Sequence, residues 1–153
     1  MYIKTVKNIL DRIKIVKPEI LVLGDVMLDN YIHGEVERIS PEAPVPILNY
    51  QKRERVLGGA GNVVKNLVNL GAKVTIASII GDDSTGLKVK GLLEERNVFT
   101  DLLFIKNGIK TTKKTRFLCN DNQLLRVDND SEGIKKSDLK HLETELLKKI
   151  SIF

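Results

Sequence analysis

Hydrophobic residues recur along the chain in two periods, and these periods predict its secondary structure. Near the N-terminus they stand three or four residues apart, at Val6, Ile9, Leu10 and Ile13. This spacing predicts an amphipathic helix that ends before Pro18. Residues 20–23 then form an uninterrupted apolar run, which is typical of a strand buried on both faces.

Helical and strand patterns alternate along the rest of the chain. Helical spacing marks three later segments: 63–70, 84–96 and 137–150. Strand patterns mark four: 73–80, 102–105, 113–118 and 123–127. Gly71 is expected to end the second helix and Ser84 to cap the third. This order predicts an α/β fold with right-handed crossovers around a parallel core.

Residues 31–57 interrupt the alternation. Residues 45–50 favour a strand, but Pro41, Pro44 and Pro46 exclude ordinary pairing in the centre of a sheet. The pattern indicates an edge strand or a small protruding sheet. We interpret the segment as a lid or clasp inserted after the first strand.

Composition narrows the class of protein. The chain has 153 residues, of which 42% are hydrophobic and 29% charged, a profile typical of a single globular domain. Its net charge of +5 permits an acidic partner. The basic residues are interleaved with acids, however, and only three Tyr, four Phe and no Trp are present, so we expect no nucleic-acid partner.

No apolar run approaches the ~20 residues that span a bilayer, and the charged N-terminal segment does not resemble a signal peptide. Cys119 is the only cysteine, which favours a reducing compartment. We therefore expect a cytoplasmic protein without a membrane partner.

A glycine-rich turn is the most informative local feature. Residues 58–62, Gly-Gly-Ala-Gly-Asn, lead into a predicted helix whose N-terminal N–H groups suit an oxygen-rich ligand. Asp29 can accept hydrogen bonds from two sugar hydroxyls, and Asp25 can brace the loop. A tight turn without a ligand, and a loop-stabilising role for either carboxylate, are the structural alternatives.

Lys114 and Arg116 lie two residues apart in a predicted strand and so project from one face, roughly 6–7 Å apart. This arrangement suits a phosphate monoester, although a solvated strand face has the same pattern. Residues 128–133 resemble the start of a calcium loop, but its twelfth position is Leu139 instead of Glu. With His33 and His141 far apart, we predict no metal site.

Four motifs together resemble the ribokinase-like carbohydrate kinases, and within them the branch that phosphorylates heptose 7-phosphates. They are GDVMLD at 24–29, RISPEAPVP at 38–46, GGAGN at 58–62 and QLLRVD at 123–128. The resemblance runs from about residue 20 to residue 130. It implies a three-layer αβα fold and transfer of phosphate from ATP, with Mg²⁺, to the anomeric hydroxyl of the sugar. That step leads toward the ADP-heptose of lipopolysaccharide.

The resemblance also implies roles for particular residues. The family's sugar site matches at Asp29, Gly58, Gly59 and Asn62, and its basic positions match at Lys114 and Arg116, which would contact the substrate phosphate. The lid of such kinases commonly pairs between subunits, which implies a homodimer.

The sequence departs from the family pattern at two points. Gly61 replaces an alanine of the usual turn, and the DTxGAGD motif, which supplies the catalytic Asp, does not occur. We therefore expect the N-terminal portion of the kinase, without a catalytic residue or the ATP-binding half, and inactive alone. A non-catalytic module that binds sugar phosphates or another subunit, and a different ribokinase-like sugar kinase, stay open as alternatives.

Overall fold

A computed structural model describes residues 2–150, with side chains from residue 5 to residue 149. The helices are α1 (Tyr2–Val16), α2 (Ala60–Leu70), α3 (Ser84–Glu94) and α4 (Lys136–Ile150). The strands are β1 (Glu19–Leu23), β2 (Val26–Ile39), β3 (Pro46–Gly59), β4 (Lys73–Gly81), β5 (Phe99–Lys106), β6 (Lys113–Cys119) and β7 (Asn122–Asn129). They form two sheets, and the predicted α/β class is confirmed.

The first sheet is parallel and has the order β1-β4-β5. Its central strand β4 is the apolar run at 73–80, and the side chains of Val74, Ile76 and Ile80 are at most 1% exposed. Val64 of α2 and Leu93 of α3 belong to the same buried cluster. Burial of this apolar surface is the main driving force that holds the helices on the sheet.

The second sheet has the order β3-β2-β6-β7. Strands β2 and β3 form a long antiparallel hairpin, β6 runs parallel to β2, and β7 returns antiparallel to β6. Pro41 and Pro44 lie in the hairpin connection, and Pro46 begins β3 at the sheet edge, as their missing N–H groups require. Residues 31–57 thus fall within this hairpin. Their action as a lid stays a prediction.

Two features of this region were not predicted. Asp29 follows the end of β1 but lies inside β2, because only Gly24 and Asp25 separate β1 from the next strand. The strands β6 and β7 join the hairpin. Strand patterns locate strands but do not specify their partners, so the four-stranded sheet was missed.

Two further predictions concern the residue that ends α2 and the residue that caps α3. Gly71 ends α2 in the left-handed conformation, with φ of 99°, as predicted. Ser84 is not the cap of α3. Asp83 takes that position with an extended backbone, and its Oδ1 accepts a hydrogen bond from the Gly86 N–H at 2.7 Å. Within residues 2–150, no helix is both long and apolar enough to cross a membrane.

Candidate functional site

Asp29 lies where the β2–β3 hairpin leaves the core of the protein. Its neighbours in the sheet are Val56 on β3 and Lys114 on β6. The Asp29 side chain is 17% exposed, so its carboxylate is held within the sheet but reaches solvent. A carboxylate in this position can accept hydrogen bonds from a ligand over the sheet face.

Arg116 fixes the orientation of this carboxylate. Its Nη1 donates to Asp29 Oδ1 at 2.5 Å, and its guanidinium carbon lies 5.2 Å from the centre of the Tyr31 ring. The hydrogen bond to Asp29 raises the pKa of Arg116 above its ordinary value. Arg116 was predicted to contact the substrate phosphate, whereas in the structure it forms an ion pair with Asp29. A guanidinium has five N–H donors, and the others stay available to a ligand.

The glycine turn meets Asp29 through Gly58. A Cβ atom on Gly58 would lie under 3.0 Å from Asp29 Oδ2, so only glycine leaves the carboxylate in place. Gly59 has a φ of 56°, and its own Cβ would meet the Asp25 carbonyl oxygen. That oxygen accepts a hydrogen bond from the Ala60 N–H at 2.9 Å. The turn therefore packs closely against β2 at Asp25 and Asp29.

Asn62 is exposed in the first turn of α2. The N-cap of this helix is Gly59, which has no side chain to satisfy the first N–H groups. These groups and the partial positive charge of the helix end favour an oxygen-rich ligand. Gly61 is buried, and a Cβ there would lie under 3.0 Å from Leu57 Cβ, so it allows close packing of α2 on β3.

Lys114 is half-buried on β6 and projects from the same sheet face as Asp29 and Arg116. In the part of the chain that the structure describes, no carboxylate lies within 4.0 Å of its ammonium group. Lys114 is thus a cation available to an anionic ligand. The structure brings Asp29, Gly58, Lys114 and Arg116 together, while Gly59 and Asn62 follow directly along the chain.

Sequence reasoning missed the pairing of Asp29 with Arg116 and the contact with Tyr31. The two charged residues are 87 positions apart, and only the parallel register of β2 and β6 makes them neighbours. The four-residue spacing of the two carboxylates, Asp25 and Asp29, gave no indication of a basic partner. Alternation along residues 113–118 did indicate that Lys114 and Arg116 share a face, and they do.

Metal-ligating residues do not cluster at this site. Among the described residues, no group of three or more His, Cys, Asp or Glu side chains is arranged to hold a metal ion. His33 Nε2 lies 3.9 Å from a carboxylate oxygen of Glu54, and the His141 ring packs edge-on against Phe104. The arrangement supports binding of a polar ligand.

Comparison with known proteins shows the family of the chain. Residues 17–153 match the model of the pfkB family carbohydrate kinases. The chain is 49% identical over 135 residues to the bifunctional protein HldE of Sulfurimonas denitrificans, and 45% identical over 141 residues to that of Aliarcobacter butzleri. These alignments cover 88% and 89% of the chain but only 28% and 30% of the relatives. The chain thus spans less than a third of their length.

Solved structures show the same relationship. A carbohydrate kinase from Agrobacterium tumefaciens aligns with a TM-score of 0.59 and 27% identity, covering 73% of this chain and 35% of that one. A ribokinase from Cryptococcus neoformans in complex with ADP aligns with a TM-score of 0.54 and 26% identity, covering 74% and 35%. The two sheets therefore form part of a larger ribokinase-like fold.

Proposed function

The chain belongs to the pfkB family of carbohydrate kinases, and we propose that it forms the sugar-binding part of a heptose 7-phosphate kinase. The observation that carries the proposal is the contact between the glycine turn and Asp29. At Gly58 any side chain would collide with the Asp29 carboxylate, so the glycine turn packs directly against this group. The HldE relatives and the RISPEAPVP motif support the choice of sugar.

Asp29 is proposed to bind two hydroxyl groups of the sugar. Its ion pair with Arg116 holds the carboxylate in one orientation before the ligand arrives. Preorganisation of this kind reduces the entropy lost on binding. Arg116 therefore has a positioning role, and its remaining N–H groups can also reach the ligand.

Lys114 is proposed to bind the phosphate that the substrate already carries. Its ammonium group is not engaged by a carboxylate in the described part of the chain, so it can act as a point charge. At the other side of the site, the N-terminus of α2 and the Asn62 side chain are placed to bind sugar oxygens.

ATP and Mg²⁺ are the co-substrate and the metal that such a kinase would use, and one structural relative contains ADP. Residues 2–150 do not supply a fitting donor set, because they contain no cluster of three metal-ligating side chains. We therefore assign this chain the binding and orientation of the sugar, and no phosphoryl-transfer step. For the whole kinase we also propose a catalytic Asp, an ATP site and a homodimer that forms by pairing of the β2–β3 hairpins.

The proposal is tested by calorimetric titration of the chain with D-glycero-β-D-manno-heptose 7-phosphate. We expect binding, and an Asp29→Asn variant should weaken it at least about tenfold, since a charged acceptor is lost from two hydrogen bonds. The matched control is Glu35→Gln, which neutralises an exposed carboxylate on the same strand and should leave binding unchanged. Equal affinity of the wild-type and Asp29→Asn chains would refute the site.

The same titration separates a heptose kinase from another sugar kinase, and an assay of ADP release tests the expected inactivity. A second sugar phosphate, such as fructose 6-phosphate, that binds more tightly than the heptose would indicate another sugar kinase. Heptose binding without release of ADP from added ATP fits both a kinase portion and a non-catalytic module. Sustained ADP release that depends on Asp29 would contradict the expectation that the chain is inactive alone.

A further inference from the structure

A narrow cleft opens on the sheet face opposite Asp29. It has a volume of about 220 Å³ and lies between strands β2, β3 and β6 and the start of α3. Successive residues of a strand project to opposite faces. Asn30 consequently lines this cleft, while its neighbour Asp29 faces the candidate sugar site. The two sites share a strand but not a surface.

Four cationic side chains surround the cleft. Arg53 and Arg55 lie two residues apart on β3, Lys113 is on β6, and Lys88 reaches across from α3. In the described structure, no acidic residue lines the cleft. The nearest ion pair is that of Lys88 with Glu95, at the limiting distance of 4.0 Å. Four converging like charges repel one another and create a positive potential that attracts an anion.

Acidic groups next to the cleft are engaged elsewhere. Asp83 precedes α3, but its carboxylate accepts hydrogen bonds from the Gly86 and Thr111 N–H groups and from the Thr111 hydroxyl. Glu54 lies between the two arginines on β3 and therefore projects from the other face, where its carboxylate binds Lys52. Asp83 still acts on Lys113 electrostatically, but no acidic side chain lines the cleft in the described structure, so its net charge stays positive.

Asn30 adds a second, independent observation at the floor of the cleft. It is 7% exposed, and its Nδ2 donates to the Thr115 hydroxyl at 3.3 Å. Its Oδ1 is buried without a hydrogen-bond partner. A buried amide oxygen left unpaired is unfavourable, and a hydrogen-bond donor that enters the cleft can restore the missing interaction. The floor of the cleft therefore offers a hydrogen-bond acceptor beside the cationic groups.

We propose that this cleft binds a small phosphorylated polyol. The phosphate would contact Arg55, Lys88 and Lys113, and a hydroxyl of the ligand would donate to Asn30 Oδ1. The hydroxyl groups of Ser84 and Thr85, in the first turn of α3, line the same cleft. Its volume lies below the ~300–1,000 Å³ of sites for drug-sized ligands, which favours a short carbon chain. Binding would draw α3 against the second sheet.

The test titrates the full 153-residue chain with glycerol 1-phosphate and follows binding by calorimetry and backbone amide NMR shifts. We expect a dissociation constant on the order of 1 mM and shifts confined to residues around the cleft. Arg55→Gln combined with Lys88→Gln should weaken binding at least about tenfold. The control, Arg38→Gln with Lys90→Gln, removes the same charge outside the cleft and should leave the affinity nearly unchanged.

Each other result overturns part or all of the proposal. Equal weakening by the two double variants would show a diffuse charge effect instead of a site. If inorganic phosphate binds as tightly as glycerol 1-phosphate, the hydroxyl contact with Asn30 is refuted. Loss of binding in Asp29→Asn would place the probe in the candidate sugar site. Should the cleft double variant fail to fold by circular dichroism, Lys88→Gln against Lys90→Gln, which lies outside the cleft on the same helix, makes the same comparison.

Discussion

The two sheets of the molecule are built from different kinds of residue and serve different purposes. In the parallel sheet, β4 is buried by helices and carries only apolar or small side chains along its core. In the second sheet, β2, β3 and β6 carry charged groups on both faces, and every residue of β7 is exposed. Stability is thus concentrated in the first sheet and ligand chemistry in the second.

This division has a physical basis. Burial of apolar side chains contributes about 25 cal/mol per Å² wherever water is excluded, and most of the buried cluster belongs to the first sheet and the helices that cover it. A charged residue requires solvent or a partner, so the second sheet can hold Asp29, Arg116 and the cationic cleft only because it protrudes. A substitution in the first sheet should therefore mainly change the free energy of unfolding. A substitution in the second sheet should mainly change ligand binding.

The largest difference is expected between Ile76→Ala and Leu125→Ala. Ile76 is fully buried, so its truncation should lower the free energy of unfolding by about 2–5 kcal/mol. Leu125 on β7 is 56% exposed, and its truncation should change that free energy by about 0.5 kcal/mol or less. Urea titration followed by circular dichroism measures both. Similar losses at the two positions would contradict the division.

Arg116→Gln should have the next largest effect on unfolding. It leaves a partly buried carboxylate without its partner, which should cost about 1.5–3 kcal/mol. Arg126→Gln is the matched control, because Arg126 pairs with Asp128 on the exposed strand β7 with its side chain 49% exposed. A surface pair of this kind contributes about 0–1 kcal/mol. Thermal unfolding in low salt compares them, and equal shifts would refute a special role for the Asp29 pair.

Gly58→Ala should abolish sugar binding and also lower stability. Its Cβ would displace the Asp29 carboxylate, so we expect loss of heptose 7-phosphate binding together with about 1–3 kcal/mol of destabilisation. Gly91→Ala is the control, since a Cβ on Gly91 meets nothing within 4 Å. In the α3 helix this change should stabilise by about 0.5–1 kcal/mol. Retained sugar affinity in Gly58→Ala would contradict the proposed site.

Asp83→Asn should have the smallest effect, and one that depends on pH. Burial alone would raise the pKa of Asp83, but hydrogen bonds from Gly86 and Thr111 lower it below the ordinary 3.8. The ionised carboxylate therefore stabilises the fold above about pH 3.8, and this contribution disappears as the pH falls through the lowered pKa. Near pH 7 the variant should lose about 1 kcal/mol of stability.

Urea titrations between pH 7 and pH 3 measure this difference, and it should shrink toward the acid end. The neighbouring substitution Asp82→Asn, at an exposed carboxylate, should show little change at any pH. A difference between wild type and Asp83→Asn that grows on acidification would contradict the assignment.

Much of the fold could be predicted from local pattern. The apolar run at 73–80 forms β4, and Gly71 ends α2, because both depend on residues close together in the chain. The cap of α3 was misplaced by one residue, since Asp83 and Ser84 are both good caps. The additional hydrogen bonds between Asp83 and Thr111, 28 residues away, favour the former.

The candidate site could be predicted only in part. Asp29, Gly58 and Asn62 lie in recognisable motifs, and Lys114 and Arg116 alternate within one strand. Their assembly depends on β6 lying beside β2 in a particular register, which no local spacing contains. The cationic cleft was not predicted for the same reason, because three strands and one helix each contribute separate residues to it.

The neighbouring positions of Asp29 and Asn30 on β2 have one more consequence. From Val26 to His33 the pairing of β2 with β3 is unbroken, and the first bulge comes only after His33. A slip of β2 by one residue would therefore invert the whole stretch, turning the Asp29 carboxylate into the cleft and the Asn30 amide toward the sugar. The side chains of Val26 and Leu28, which lie on the same face as Asn30 and are 3% exposed, hold this register. A slip would thus abolish both sites at once, while the parallel sheet stays folded.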